Sequence, residues 1–264
     1  MIIESIGGDG AAMGARAARH FDIAFRQMMS GPRTVQNPRY LRLVTGEAHP
    51  MGNVAIVSEP DDVDAALEAI TPLLECGAPS AAIFPQGASD EVDAAVKARG
   101  FAVDATMPAM AVDIDRMAPT SLPPGYRWTR VGSGDPGRDW VEALAVGYEI
   151  PRALADLFGP VRLGADMAED APIQYFSILR DGLQVATSML FLADGLAGIY
   201  CVSTRPEERN RGLGAHATAE ALRVARGLGY RVGVLQSSSA GYPVYLRLGF
   251  GDYMKIPMRI RLPG

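Results

Sequence analysis

The stretch Arg209-Asn210-Arg211-Gly212-Leu213-Gly214 constrains this chain more than any other. It stands between an apolar run with strand character, Leu196 to Val202, and a run with helix periodicity, Ala215 to Leu228. A strand, a glycine-rich turn with cations and a helix, in that order, build an anion cradle. The first N–H groups of a helix have no internal partner, and the helix dipole favours negative charge there. Glycines let the backbone approach a phosphate closely, because no Cβ intervenes. Arginine forks suit phosphate oxygens. Two cations at a helix start oppose the dipole, which makes sense if an anion sits between them. Glu207 and Glu208 are placed to neutralise them when that anion is absent. No lysine follows Gly214, so this is not a P-loop, and the glycines do not follow Gly-x-Gly-x-x-Gly.

The register is Arg-x-x-Gly-x-Gly, and further on stands Tyr245-Leu246-Arg247-Leu248-Gly249-Phe250. The first resembles the pyrophosphate-binding motif of the GNAT superfamily of acyl-CoA N-acyltransferases. The second resembles its Tyr-x-Lys/Arg-x-Gly-Phe signature, in the family's order and at about its spacing. The resemblance covers the second half of the chain. It implies an α/β (α+β) GNAT fold, a mixed central sheet flanked by helices, with acetyl-CoA as the expected acyl donor. It implies that the edge of Val202, Ser203 and Thr204 pairs with pantetheine. The pyrophosphate would rest on the N–H groups of Arg209, Asn210, Arg211, Gly212, Leu213, Gly214 and Ala215. Ser238 stands where many members carry Asn, and its hydroxyl can still bond the pantetheine arm.

Tyr245 corresponds to the tyrosine that faces the CoA sulfur in many GNAT enzymes. A phenol with a reference pKa of about 10 is protonated at neutral pH and can donate to a departing thiolate. Tyr242, one helical turn earlier, is the rival. No carboxylate occurs in Ile199-Tyr200-Cys201-Val202, where many members carry a glutamate as base. Glu149, a water chain or an amine that arrives neutral remain as alternatives. Cys201 reads as a small buried strand thiol rather than an acyl-carrying nucleophile, with no histidine near it in sequence. His216 falls in the first turn of the cradle helix, and the acidic group Asp166, Glu169 and Asp170 reads as a solvated loop.

Composition bounds the rest. A net charge of −5 speaks against nucleic acid and anionic membrane as partners. Cys76 and Cys201 form no zinc or disulfide spacing, and His20, His49 and His216 make no metal constellation, so no metal is expected. The amino terminus, Met1-Ile2-Ile3-Glu4, lacks the pattern of a signal peptide, and Met189 to Val202 is too short and too broken by Asp194, Gly195 and Gly198 to span a bilayer. A cytoplasmic location follows as the expectation, with an oligomer left open.

The proline-rich segment 118–125 reads as a linker between a first domain, 1–117, and the GNAT domain, 126–264. In the second half, periodicity predicts strands at Tyr126–Val131, Gln174–Leu179, Gln184–Leu192, Leu196–Val202, Arg231–Leu235 and Tyr253–Arg261. It predicts helices at Trp140–Glu149, Arg152–Leu157, Ala215–Leu228 and Tyr242–Leu248. The first half echoes the second. Ala82-Ile83-Phe84-Pro85-Gln86 parallels Val232 to Gln236, and Gly100-Phe101 before Pro108 parallels Gly249-Phe250 before Pro257. Helix-like runs Val63 to Leu74 and Glu91 to Ala98 fall in the matching places. The expected arrangement is a tandem whose first copy has diverged. That copy has Ser58-Glu59-Pro60-Asp61-Asp62-Val63-Asp64 where a cradle would need glycines and cations, so it is expected to bind no CoA. The function expected is transfer of an acetyl group from acetyl-CoA to a primary amine of a small molecule or peptide, by direct attack in a ternary complex. The alternative is a CoA-binding regulatory protein without catalysis.

Overall fold

The chain lays down one succession of elements twice. In the computed structural model, which describes residues 2–164 and 166–263, the first half runs α1 (Gly10–Met28), β1 (Thr34–Gln36), β2 (Tyr40–Val44), β3 (Asn53–Val57), α2 (Val63–Glu75), β4 (Ser80–Ile83), α3 (Asp90–Lys97) and β5 (Val103–Asp113). The second half runs β6 (Tyr126–Val131), α4 (Asp135–Tyr148), α5 (Arg152–Ala155), β7 (Ile173–Arg180), β8 (Leu183–Ala193), β9 (Leu196–Thr204), α6 (Leu213–Gly227), β10 (Val232–Gln236), α7 (Tyr242–Leu248) and β11 (Gly251–Arg261). A helix, three antiparallel strands, a helix, a parallel strand, a short helix and a long strand recur in each half. Met1 and Gly264, the ends of the two expected domains, lie outside the described residues.

The two compact units are not divided at 118–125. One is Met1–Met13 with Met110–Tyr253; the other is Gly14–Ala109 with Met254–Gly264. Both flanks of 118–125 therefore fall in the same unit, where the segment is an internal loop without regular structure. The reason is long-range strand pairing. In the unit of residues 14–109, the sheet order is β1-β2-β3-β4-β11, and Met258–Arg261 of β11 pairs antiparallel with Ser80–Ile83 of β4. The Arg259 guanidinium is 2.5 Å from Asp93 and 3.0 Å from the exposed Asp104, which adds an ionic tie to that pairing. In the other unit the order is β6-β7-β8-β9-β10-β5, and the Ile114 N–H just beyond β5 donates to the Arg231 carbonyl at 2.9 Å. Each unit thus takes its last strand from the other half of the sequence.

Each unit has its own core. One gathers Ile70, Leu73, Phe84, Val92 and Phe101; the other gathers Phe176, Leu190, Ile199, Leu222, Leu235 and Phe250. Burying one such aromatic or leucine side chain is worth about 1.5–3 kcal/mol. The Gly-Phe echo has a local cause. Gly249 (φ 100°) closes α7 in the left-handed region and delivers Phe250 to the core, while Gly100 (φ 87°) and the buried Phe101 do the same after α3.

Two differences from the periodicity have simple reasons. Helix α4 begins at Asp135 rather than Trp140, because Pro136 sits in its first turn, where a missing N–H has no helical partner to lose. Beyond Ala155, the predicted helix Arg152–Leu157 tightens into a 3-10 turn, Asp156–Phe158. No helix among the described residues is long and apolar enough to cross a membrane.

The strand exchange has a consequence for any dissection. Fragment 126–264 expressed alone lacks β5 and carries a β11 segment that belongs with β4. It should be insoluble or poorly cooperative in thermal unfolding, whereas co-expression with 1–125 should recover a soluble complex. A fragment that melts cooperatively on its own would show that the exchange is dispensable.

Candidate acyl-donor cleft

Strand β9 is paired very differently on its two sides. Toward β8 the antiparallel ladder runs from Leu196 to Thr204. Toward β10 the parallel pairing covers Gly198–Val234 and Ala197–Gly233, while β9 itself continues to Thr204. The far end of β9 is therefore splayed from β10, and a cleft of about 700 Å³ opens there. The cleft is walled by the end of β9, the loop into α6, the end of α4 and the start of α7. Unpaired strand N–H and C=O groups beside such a cleft can bind an extended, amide-bearing arm.

The loop delivers the second element. Asn210 (φ 63°) and Gly212 (φ 77°) both occupy the left-handed region, which turns the chain sharply into α6. Gly212 is the N-cap residue, no side chain caps the helix, and no acidic residue lies in its first turn. The N–H groups at the start of this 15-residue helix thus have no capping partner from the side chains. A Cβ on Gly214 would meet Val202 and Thr204 at 3.6 and 3.8 Å, ordinary contact, so the glycine leaves open space rather than relieving a clash. The matching helix of the first half is finished differently. Asp62 accepts from the Ala65 N–H at the start of α2, and its carboxyl, bonded to Arg39, is held down to about pKa 2. The protein's own carboxylate fills the position an anion would need.

Of the predicted site residues, Val202, Ser203, Thr204, Arg209, Asn210, Gly212, Leu213, Gly214, Ala215, Ser238 and Tyr245 line the cleft, and Arg211 does not. The Arg211 guanidinium lies 3.2 Å from Glu208, whose buried carboxylate also takes the Tyr126 hydroxyl and Arg180. The Tyr126 bond, with the two arginines, holds the Glu208 carboxyl below the usual range. Arg211 is thus tied into the framework. Arg209 does line the cleft, but its guanidinium donates to the Gly147 carbonyl at 2.9 Å and to Glu149 at 2.8 Å. Glu149, a candidate base from sequence, is an exposed partner of Arg209 just past the end of α4. Ser203 contributes backbone only, because its hydroxyl is buried against Thr187 and the Ala143 carbonyl. The Ser238 hydroxyl accepts from the Gly241 N–H at 3.2 Å and keeps its own proton to donate.

Tyr245 is held by α7 with its ring edge-on to Phe250, centroids 5.7 Å apart. Burial pushes its phenol up to about 12, partly offset by the Thr218 hydroxyl, so it stays protonated at neutral pH. Tyr242 lies outside the cleft lining, its hydroxyl 3.4 Å from Asp252. Burial drives the Cys201 thiol well up, which keeps it from acting as a thiolate nucleophile. His216 is buried against Thr120, 3.1 Å away, with its pKa lowered by burial. Asp166, Glu169 and Asp170 are exposed, and none lines the cleft.

Sequence reasoning missed three contributors. Ala118, Pro119 and Thr120, read as linker, form part of the cleft wall, anchored by the Ala118 N–H on the Leu248 carbonyl at 3.0 Å. Tyr148 lines the cleft from the end of α4. Gly147 lets α4 approach β9: a Cβ there would stand 2.7 Å from the Ser203 side chain. The signal for the last two was a Gly-Tyr pair at a helix end next to a charged residue, which carries no motif.

Comparison with known proteins fits this geometry. Residues 142–250 match the profile of the Acetyltransferase (GNAT) family. The match runs from within α4 to just past the end of α7. Among solved structures, a GCN5-related N-acetyltransferase from Kribbella flavida aligns over 95% of this chain and 96% of its own, at 21% identity and a TM-score of 0.64. One from Sphaerobacter thermophilus aligns over 84% and 76%, at 16% identity and a TM-score of 0.60. A tandem GNAT protein from the clavulanic acid biosynthesis pathway aligns over 92% and 87%, at 17% identity and a TM-score of 0.55. At these identities the likeness is one of fold, and its coverage takes in both halves of the chain. No curated protein matches the chain by sequence.

Two outcomes test the cleft. Gly214→Asp places a carboxylate in the first turn of α6, where it suits the helix dipole by about 0.3–1 kcal/mol. The variant should melt no lower than wild type. By calorimetry wild type should bind one acetyl-CoA per chain and the variant none. Two sites in wild type would instead assign a cradle to the first half, and an unaltered site in the variant would move the cradle off α6. Glu149→Gln removes the carboxylate that competes for Arg209. An exposed ion pair is worth about 0.2–1 kcal/mol, so affinity for acetyl-CoA should rise up to about fivefold, less at high salt. A drop in affinity would mean that Glu149 orders the site rather than competes with the ligand.

Proposed function

We propose that this protein is a GNAT-type N-acetyltransferase that moves an acetyl group from acetyl-CoA to a primary amine of a small molecule or peptide, by direct attack in a ternary complex. The observation that carries this reading is the meeting, in one cleft, of an open strand edge, a helix start without a side-chain cap and a protonated buried phenol. Pantetheine amides would pair with the free edge of β9, and the pyrophosphate would sit on the N–H groups from Gly212 to Ala215. Arg209 would turn from Glu149 to the phosphates. Tyr245 would give its proton to the CoA sulfur as the tetrahedral intermediate collapses, while the amine loses one to water. No metal enters this scheme, and a reducing, cytoplasmic setting suits the two free thiols.

The role of Tyr245 separates catalysis from mere CoA binding. Tyr245→Phe keeps the ring against Phe250 and removes the donor. A positioned general acid contributes about 10²–10⁴ in rate, so kcat against an amine panel should fall by that order. Acetyl-CoA affinity should change little, since at most one hydrogen bond of about 0.5–1.5 kcal/mol is lost. Tyr242→Phe, outside the cleft, should stay active. Full activity in Tyr245→Phe would hand proton donation to water or substrate. Tight CoA binding with no turnover of any amine in wild type would favour a CoA-responsive regulatory protein.

A further inference from the structure

Thr218 breaks the habit of a helical threonine. A threonine hydroxyl inside a helix commonly donates to the carbonyl four residues back. Thr71 does so in α2, reaching the Leu67 carbonyl at 2.7 Å. Thr218 sits in α6, fully buried, and among the described residues its hydroxyl has no hydrogen-bond partner. A buried hydroxyl left this way costs stability and calls for an explanation. Four residues before it, on the same helix face, stands Gly214, which lines the cleft. Helix α7, which carries Tyr245, packs against α6.

The neighbour that answers it is Tyr245. The Thr218 hydroxyl lowers the Tyr245 phenol against the larger upward push of burial. It therefore lies within reach of the phenol oxygen, although the two form no hydrogen bond while the phenol is neutral. Of the other titratable groups that line the cleft, Tyr148 feels Tyr245, whereas Glu208, Arg209 and Arg247 leave the Tyr245 phenol unaffected. The ring itself is pinned. Phe250 meets it edge-on, and a Cβ on Gly241 would stand 2.9 Å from it. We infer that Thr218 is a positioning residue for acyl transfer: its hydroxyl, idle while Tyr245 is protonated, donates to the Tyr245 oxygen when that oxygen passes its proton to the CoA sulfur. This rests on the proposed function. The Tyr245 O–H bond breaks, the sulfur–hydrogen bond forms, and the phenolate holds the negative charge until a proton returns from water. A hydrogen bond to a charged oxygen is about twice as strong as one between neutral groups. An interaction absent in the ground state and made as charge develops lowers the barrier instead of merely tightening binding.

Fluorine NMR of the protein carrying 3-fluorotyrosine tests this with neither donor nor acceptor present. Fluorination makes phenols more acidic, which brings the Tyr245 titration to a milder pH, and its resonance is the one lost in Tyr245→Phe. Thr218→Val keeps the shape and removes the hydroxyl. The Tyr245 midpoint should rise by about one to two pH units, the worth of a hydrogen bond to a charged group. Thr218→Ser should keep the wild-type midpoint. So should Ser188→Ala, which removes an equally buried hydroxyl that donates to the Ala217 carbonyl of the same helix. Should Thr218→Val not fold, Thr218→Ala takes its place. In turnover, Thr218→Val should lower kcat about three- to tenfold when Tyr245 is present and leave the residual rate of Tyr245→Phe unchanged. A purely structural role would act equally in both backgrounds. An unmoved midpoint in the Val or Ala variant overturns the inference. So does a midpoint raised as far by Thr218→Ser or Ser188→Ala, or an equal loss of kcat in Tyr245→Phe. No turnover of any amine by wild type, with the midpoint shifted as expected, would instead overturn the proposed function.

Discussion

The departure of β9 from β10 is the constraint on which the site depends. A parallel pair that continued to Thr204 would satisfy every backbone group of β9 and leave no edge to bind anything. Pairing stops after Gly198, yet β9 does not fray, because its other side keeps the ladder with β8 and α4 packs on it through Gly147. One flank supplies rigidity and the other supplies unpaired polar groups. A site built this way is preorganised, since the strand that would grip the ligand is already held by the core.

The two halves of the chain use the same topological place for opposite ends. After β3, Asp62 caps α2 and binds Arg39, so helix start and cation are both satisfied within the protein. After β9, Gly212 caps α6 without a side chain. The backbone pathways correspond, but a carboxylate in one and glycines in the other decide whether an outside anion has anything left to bind.

How much of this was legible in the sequence follows the range of the interactions. Helix α7 and strand β6 ran where periodicity put them, and Gly249-Phe250 marked a helix end with a buried aromatic, because those signals are local. The glycine-rich start of α6 was legible for the same reason. Helix α1 went unread: its buried face is largely Ala17, Ala18 and Ala24 with Met13, Phe21 and Met28, a stripe too rich in alanine to stand out by hydrophobicity. The membership of β5 and β11 could not be read at all. Each follows its own half in sequence and joins the sheet of the other unit, and only pairing partners far along the chain decide that. The bulge in β9 at Cys201, where φ is 51°, was equally silent, since a cysteine gives no hint of a left-handed conformation.

The two arginines of the motif show why residue type alone overstates a site. From sequence they were equivalent, both cationic and both beside the glycines. In the fold Arg211 is neutralised by Glu208, and that carboxylate is nine-tenths buried and also serves Tyr126 and Arg180. To pull Arg211 away would leave a buried negative charge less well paired, a cost that a phosphate at the surface repays poorly. Arg209 has no such obligation. Its carboxylate partner is well exposed, and water can solvate Glu149 once the guanidinium leaves. The same side chain is therefore tied into the framework at one position and more easily released at the other, and the difference lies in the burial of the carboxylate each one leaves behind.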